Sequence, residues 1–177
     1  MEHRKLDGLQ WYVVALAALF AIAMLAWEYT HGGVVSHHFL DRRDMPAVSN
    51  WWSLAVLPLL GWLAAWSAQR RTPVDAGALP KAFAGAFGAL VVGVAMSVAF
   101  VTAHQQVTSD LFFAVLVSGV VWPTYRAEYV FGFVLGMAFV FGAVLPTLVA
   151  LIGVAISAIF QLLVRPAFVR VIRRTGA

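Results

Sequence analysis

Between Leu9 and Trp27 the chain runs 19 residues without a charged side chain. At about 1.5 Å per residue, a helix of that length reaches across the roughly 30 Å hydrocarbon core of a bilayer. Such a helix satisfies its own backbone N–H and C=O groups, as a segment in lipid must. Uncharged runs recur over Trp51–Ala68, Ala82–Ala103 and Tyr129–Val164, the last 36 residues long. Composition agrees with this pattern. Of 177 residues, 62% are hydrophobic and 11% charged, against about 45–50% and about 25% in soluble domains. A soluble fold of this size cannot hide so much apolar surface, and disorder needs the opposite balance. The predicted fold is all-α, a polytopic transmembrane helix bundle, with residues 1–177 forming one integral membrane domain.

A cleaved leader is the competing reading of the first run. Arg4 and Lys5 would form its basic region, and Ala21-Ile22-Ala23 has the small residues of a cleavage site. The run is long for a leader and further spans follow, so an uncleaved helix is expected.

Between Val107 and Tyr125 the pattern weakens. Read in full it is another span; read as Leu111–Trp122 it is only 12 residues, a length that suits a re-entrant or surface piece. The run Tyr129–Val164 would be about 54 Å long as one helix, well beyond a bilayer core, and Pro146 interrupts it. Two topologies follow. Six spans turn the 129–164 run into a hairpin near Gly142–Pro146. Four spans make it one kinked helix and leave 105–125 as a re-entrant or surface piece.

Charge placement favours six. The basic residues cluster beside apolar runs, as Arg4-Lys5, Arg70-Arg71-Lys81 and Arg165-Arg170-Arg173-Arg174, the pattern of the positive-inside rule. With both termini cytoplasmic and six crossings, only Arg42 and Arg43 of the 12 basic residues fall outside. The expected location is a bacterial-type plasma (inner) membrane, with the polar loop 28–49 facing out. Grouped in this way, the cations point to the lipid bilayer as partner and not to nucleic acid.

On the third run, Gly85, Ala89, Gly93 and Ser97 recur every four residues, a small-residue ridge that lets helix backbones approach closely in lipid. It is expected to pack on a neighbouring helix of the same chain, with a homo-oligomer seam as the alternative. Gly132 and Gly136 make a second packing face.

Chemistry-bearing side chains concentrate on the outer side. Glu28 and His31 have the i, i+3 ligand spacing found in di-iron carboxylate bundles. His37 and His38 lie four and three residues before Asp41, and either pair shares a face on a helical turn. His104 joins from the next outer connection. Imidazole with carboxylate suits a divalent transition metal, Zn, Fe, Cu or Mn, so Glu28, His31, His37, His38, Asp41 and His104 form a candidate metal site. Asp44 and Asp110 are further outer acids. A second Glu-x-x-His is absent, and polar residues are ordinary in loops, so solvated ion pairs are the competing reading. Arg126 and Glu128 lie between two apolar runs, a position that makes ionisable residues functional candidates; with six spans they become a short cytoplasmic loop.

The chain has no cysteine, which removes disulfides, thiolate metal sites and thiol nucleophiles. It also lacks a phosphate loop, a Gly-x-Ser-x-Gly elbow and a His-Glu-x-x-His motif. Three function classes remain: a metal-binding membrane enzyme or metal-handling protein, a non-catalytic accessory or assembly subunit of a larger membrane complex, and a small homo-oligomeric transporter. Charges within the runs, which transport requires, are absent.

Overall fold

The structure is a computed structural model that describes residues 2–38, 46–102, 105–167 and 170. Helix α1 (Glu2–Thr30) is followed by two short strands, β1 (Ser36–His38) and β2 (Ala47–Ser49), and a 3-10 turn over Asn50–Trp52. Then come α2 (Ser53–Arg71), α3 (Ala78–Val101), α4 (Gln105–Val121), α5 (Ala127–Phe141) and α6 (Val144–Ile159), the last continued by a π-helical turn, Phe160–Val164. The protein is all-α, and four segments are long and apolar enough to cross a membrane: Gly8–Thr30, Asn50–Arg71, Ala78–Val101 and Val144–Ala167. α4 and α5 are shorter apolar helices of 17 and 15 residues.

α1 ends where its glycines permit. Gly32 and Gly33 take φ of 125° and 103°, a region open to glycine at little cost. The Gly33 N–H then reaches back to the Glu28 carbonyl at 3.0 Å, closing the helix with a 6→1 bond. The segment expected to be an irregular loop from residue 28 is thus helical to Thr30 and then forms an antiparallel hairpin, with Ser36 opposite Ser49, His37 opposite Val48 and His38 opposite Ala47. Ser49 caps the 3-10 turn through its side chain, accepting from Trp51 N–H at 3.4 Å.

The 36-residue apolar run breaks at Gly142, which has φ 67°. Pro146 is the third residue of α6, in the first turn, where a missing N–H breaks no intrahelical bond. α5 is the buried centre of the bundle: Val134, Ala138 and Phe133 join Leu57 of α2, Met96 of α3 and Ala21 and Met24 of α1 in one core. It runs antiparallel to α2 along its whole length. Glu128 in its first turn meets Arg71 at the end of α2, and the residues just after it meet Asn50 and Ser53 at the start of α2. At about 22 Å α5 is short for a span.

The tightest helix pair is α3 with α5. A Cβ added at Gly93 would overlap the Phe133 carbonyl oxygen, one at Gly132 the Ala86 carbonyl oxygen, and one at Gly136 the Leu90 carbonyl oxygen. The Ser97 hydroxyl donates to the Gly136 carbonyl at 3.2 Å. Of the expected ridge, Gly85, Gly93 and Ser97 meet α5, Gly85 through the Tyr129 ring, while Ala89 lines a groove beside the contact. The reason is geometric: with 3.6 residues per turn, an every-fourth-residue stripe rotates about 40° per step. The stripe therefore drifts across the contact, and the closest backbone approaches run along Ala86, Leu90 and Gly93, with the Ser97 hydrogen bond beyond them. The partner on this seam belongs to the same chain.

α4 is held against α6. Thr124 N–H bonds to the Trp122 carbonyl, leaving the Val120 carbonyl near the end of α4 without its helical donor. Gln161, in the π turn, supplies one at 2.7 Å, and Ser157 donates to the Trp122 carbonyl at 3.2 Å.

Candidate functional site

At the end of the bundle where α1 closes and α2 begins, Glu28 is a structural centre. One of its carboxylate oxygens accepts from the Asn50 amide at 2.6 Å, and the other accepts from Val35 N–H at 3.1 Å. Asn50 is 3% exposed, and its backbone N–H bonds to the Val35 carbonyl. Its side chain lies where a Cβ on Gly142 would be, and the adjoining Ala143 N–H donates to the buried Ser53 hydroxyl at 3.0 Å. The hairpin, the head of α2 and the α5–α6 turn are thereby pinned to the end of α1.

His31 turns the other way. Its ring stacks on Trp27 at 3.8 Å between centroids, and its Nδ1 lies 2.8 Å from the Trp27 carbonyl and 3.0 Å from the Thr30 hydroxyl. The Glu28 carboxylate and the His31 ring are three residues apart across the end of α1 and are bound to different partners. The His37 ring rests 6.5 Å from that of Phe141, which makes an edge-on contact with Phe100. Asp110 is exposed beside Gln106 on α4. Asp41, Asp44, His104 and the side chain of His38 lie outside the described residues. Among the described residues, no three His, Cys, Asp or Glu side chains gather as a metal-ligand set.

The opposite end of the bundle carries a second polar centre. Arg71 Nη2 donates to both Glu128 carboxylate oxygens at 2.8 Å, and its Nε donates to the Ser67 carbonyl at 3.1 Å. The Glu128 side chain is 4% exposed and that of Arg71 29%. Glu128 lies in the first turn of α5, where the helix dipole favours an anion. Arg126 precedes that helix as its N-cap residue without a side-chain capping bond. Sequence spacing had placed Glu128 beside Arg126; its ion-pair partner is Arg71, 57 positions away.

Next to this pair, a groove of about 790 Å³ opens between α3, α4, α5 and α6. Its walls include Ala89, Val92, Leu111, Phe133 and Val154, while Lys81, Thr124 and Tyr129 line it near the starts of α3 and α5. Gly88 and Gly153 line it with no atom within 4 Å of where their Cβ would be. Lys81 Nζ bonds to Asp75 Oδ2 at 2.8 Å, and Gly77 N–H donates to Asp75 Oδ1 at 2.9 Å. The Lys81 ammonium, then the Gly77 N–H, hold the exposed Asp75 carboxyl below its ordinary value.

The groove was missed from sequence because its lining residues come from four helices. The signal that could have marked it is Gly88 and Gly153, small residues off the packing seam. No protein-family model, curated protein or solved structure matches this chain.

Proposed function

We propose that this is a six-crossing protein of a bacterial-type inner membrane, both termini cytoplasmic, that holds a lipid-like amphiphile in the groove between α3, α4, α5 and α6. The groove carries the reading. Its volume falls within the roughly 300–1,000 Å³ of ligand sites, and apolar walls with a few polar groups at one end are what such sites present. An acyl chain fits the walls and a headgroup fits the Lys81 end. Support for six crossings comes from α5, whose two ends reach the two ends of α2, and from the basic residues at the connections.

The outer cluster reads as an anchor for the hairpin. Glu28 uses its carboxylate oxygens on Asn50 and Val35, and His31 its Nδ1 on Trp27 and Thr30, bonds that hold the hairpin rather than gather ligands.

The test is native mass spectrometry of delipidated protein titrated with a dioleoyl phospholipid. Wild type should show one saturable adduct. Gly88→Leu with Gly153→Leu, which fills open space and displaces nothing, should lose it at unchanged thermal stability. Equal adduct in wild type and the double variant would refute the groove as the site.

A further inference from the structure

The groove's inner mouth has a definite charge. Lys81 lines it and its side chain is 67% exposed. An ammonium carries three donors, and the Asp75 carboxylate is the one partner recorded for it among the described residues. Asp75 also feels the positive charge of Arg126. Arg71 lies near this end of the bundle, but it is neutralised by Glu128. Lys81 is therefore an exposed cation at the mouth, with donors beyond the bond to Asp75. Thr124 and Tyr129, also in the lining, add neutral hydroxyls. A headgroup without net charge gains little from such a mouth. An anionic phosphate can take the free donors of Lys81 and compete with Asp75 for the rest, forming the charge-assisted bonds that are the stronger kind.

We infer that the groove selects an anionic phospholipid of the inner leaflet, its acyl chain between α3 and α6 and its phosphate at Lys81. This rests on the groove reading above and adds the headgroup class. Asp75 is then a competitor for Lys81, because its carboxylate occupies the donor the phosphate would use. A single lysine or arginine near a membrane surface is worth roughly a five-fold preference for anionic over neutral lipid.

The experiment compares dioleoyl phosphatidylglycerol with dioleoyl phosphatidylcholine, each titrated into delipidated full-length protein and followed by native mass spectrometry. Wild type should bind the anionic lipid roughly five-fold more tightly. Lys81→Gln should reduce that preference towards unity while leaving phosphatidylcholine binding unchanged. Asp75→Asn, which keeps an acceptor for Gly77 N–H, should increase it. Both side chains are solvent-exposed, so neither variant threatens the fold. Equal binding of both lipids by wild type, with both lost on filling the groove, would overturn the headgroup inference and leave the groove reading intact. Absence of saturable binding by either lipid would overturn both. Displacement of phosphatidylglycerol by inorganic phosphate at equal concentration would also overturn the inference, assigning the site to a soluble anion.

Discussion

Asn50 donates its side-chain amide to the Glu28 carboxylate across 2.6 Å, joining the end of α1 to the approach to α2. Because Asn50 is buried, its loss strands an acceptor in a place water reaches poorly. A hydrogen bond to a charged group contributes about 1.5–3 kcal/mol. Asn50→Ala should therefore lower stability by about that amount in detergent unfolding. Gly142→Ala should cost more, since it forces a side chain onto a φ of 67° and into the Asn50 amide. Wild-type melting of both variants would contradict this anchoring role.

The α3–α5 seam gives a sharp contrast between two glycines one turn and a half apart. Gly93 abuts the α5 backbone, whereas Gly88 faces the open groove. Gly93→Leu should prevent close approach and destabilise by several kcal/mol, at or above the 1–3 kcal/mol of ordinary overpacking. Gly88→Leu should melt near wild type. Thermal unfolding in one detergent, measured for both variants, reads the difference directly.

Arg71 and Glu128 should behave as a unit. Arg71→Ala leaves a buried, unpaired carboxylate, a loss of about 3–5 kcal/mol. Replacing both partners by apolar residues, Arg71→Met with Glu128→Leu, should cost less than either single change, because no charge is then left buried. A double-mutant cycle in which the two costs simply add would refute the pairing.

Topology is open to labelling, since the chain has no native cysteine. With an impermeant thiol reagent applied from outside, Ser36→Cys should react while Val74→Cys and Tyr125→Cys should not. Tyr125 discriminates between the topologies, because a four-crossing arrangement places it outside. Reaction at 125 from the exterior would sink the six-crossing proposal.

Much of this architecture could be read in advance. The first three long helices follow from uncharged runs, and the break at Gly142–Pro146 follows from a run too long for one span. Tertiary pairing could not. Arg71 looked like one more cytoplasmic cation beside Arg70, and only the fold brings it to Glu128. Glu28 and His31 have ligand spacing, yet spacing fixes only the helix face. The hairpin and Trp27 decide what each side chain binds. The groove depends on small residues from separate helices, which no single stretch of sequence displays.

The most direct test of the central claim is to map where a lipid chain lies. A phospholipid bearing a photoactivatable diazirine on its acyl chain can be cross-linked to the protein in a bilayer and the modified residues identified. The groove reading predicts labelling concentrated on Gly88, Ala89 and Val92 of α3 and on Ala150, Gly153 and Val154 of α6, lost in the Gly88→Leu, Gly153→Leu variant. Labelling spread evenly over outward-facing Leu151, Ile152, Leu162 and Leu163, and unchanged in that variant, would contradict it.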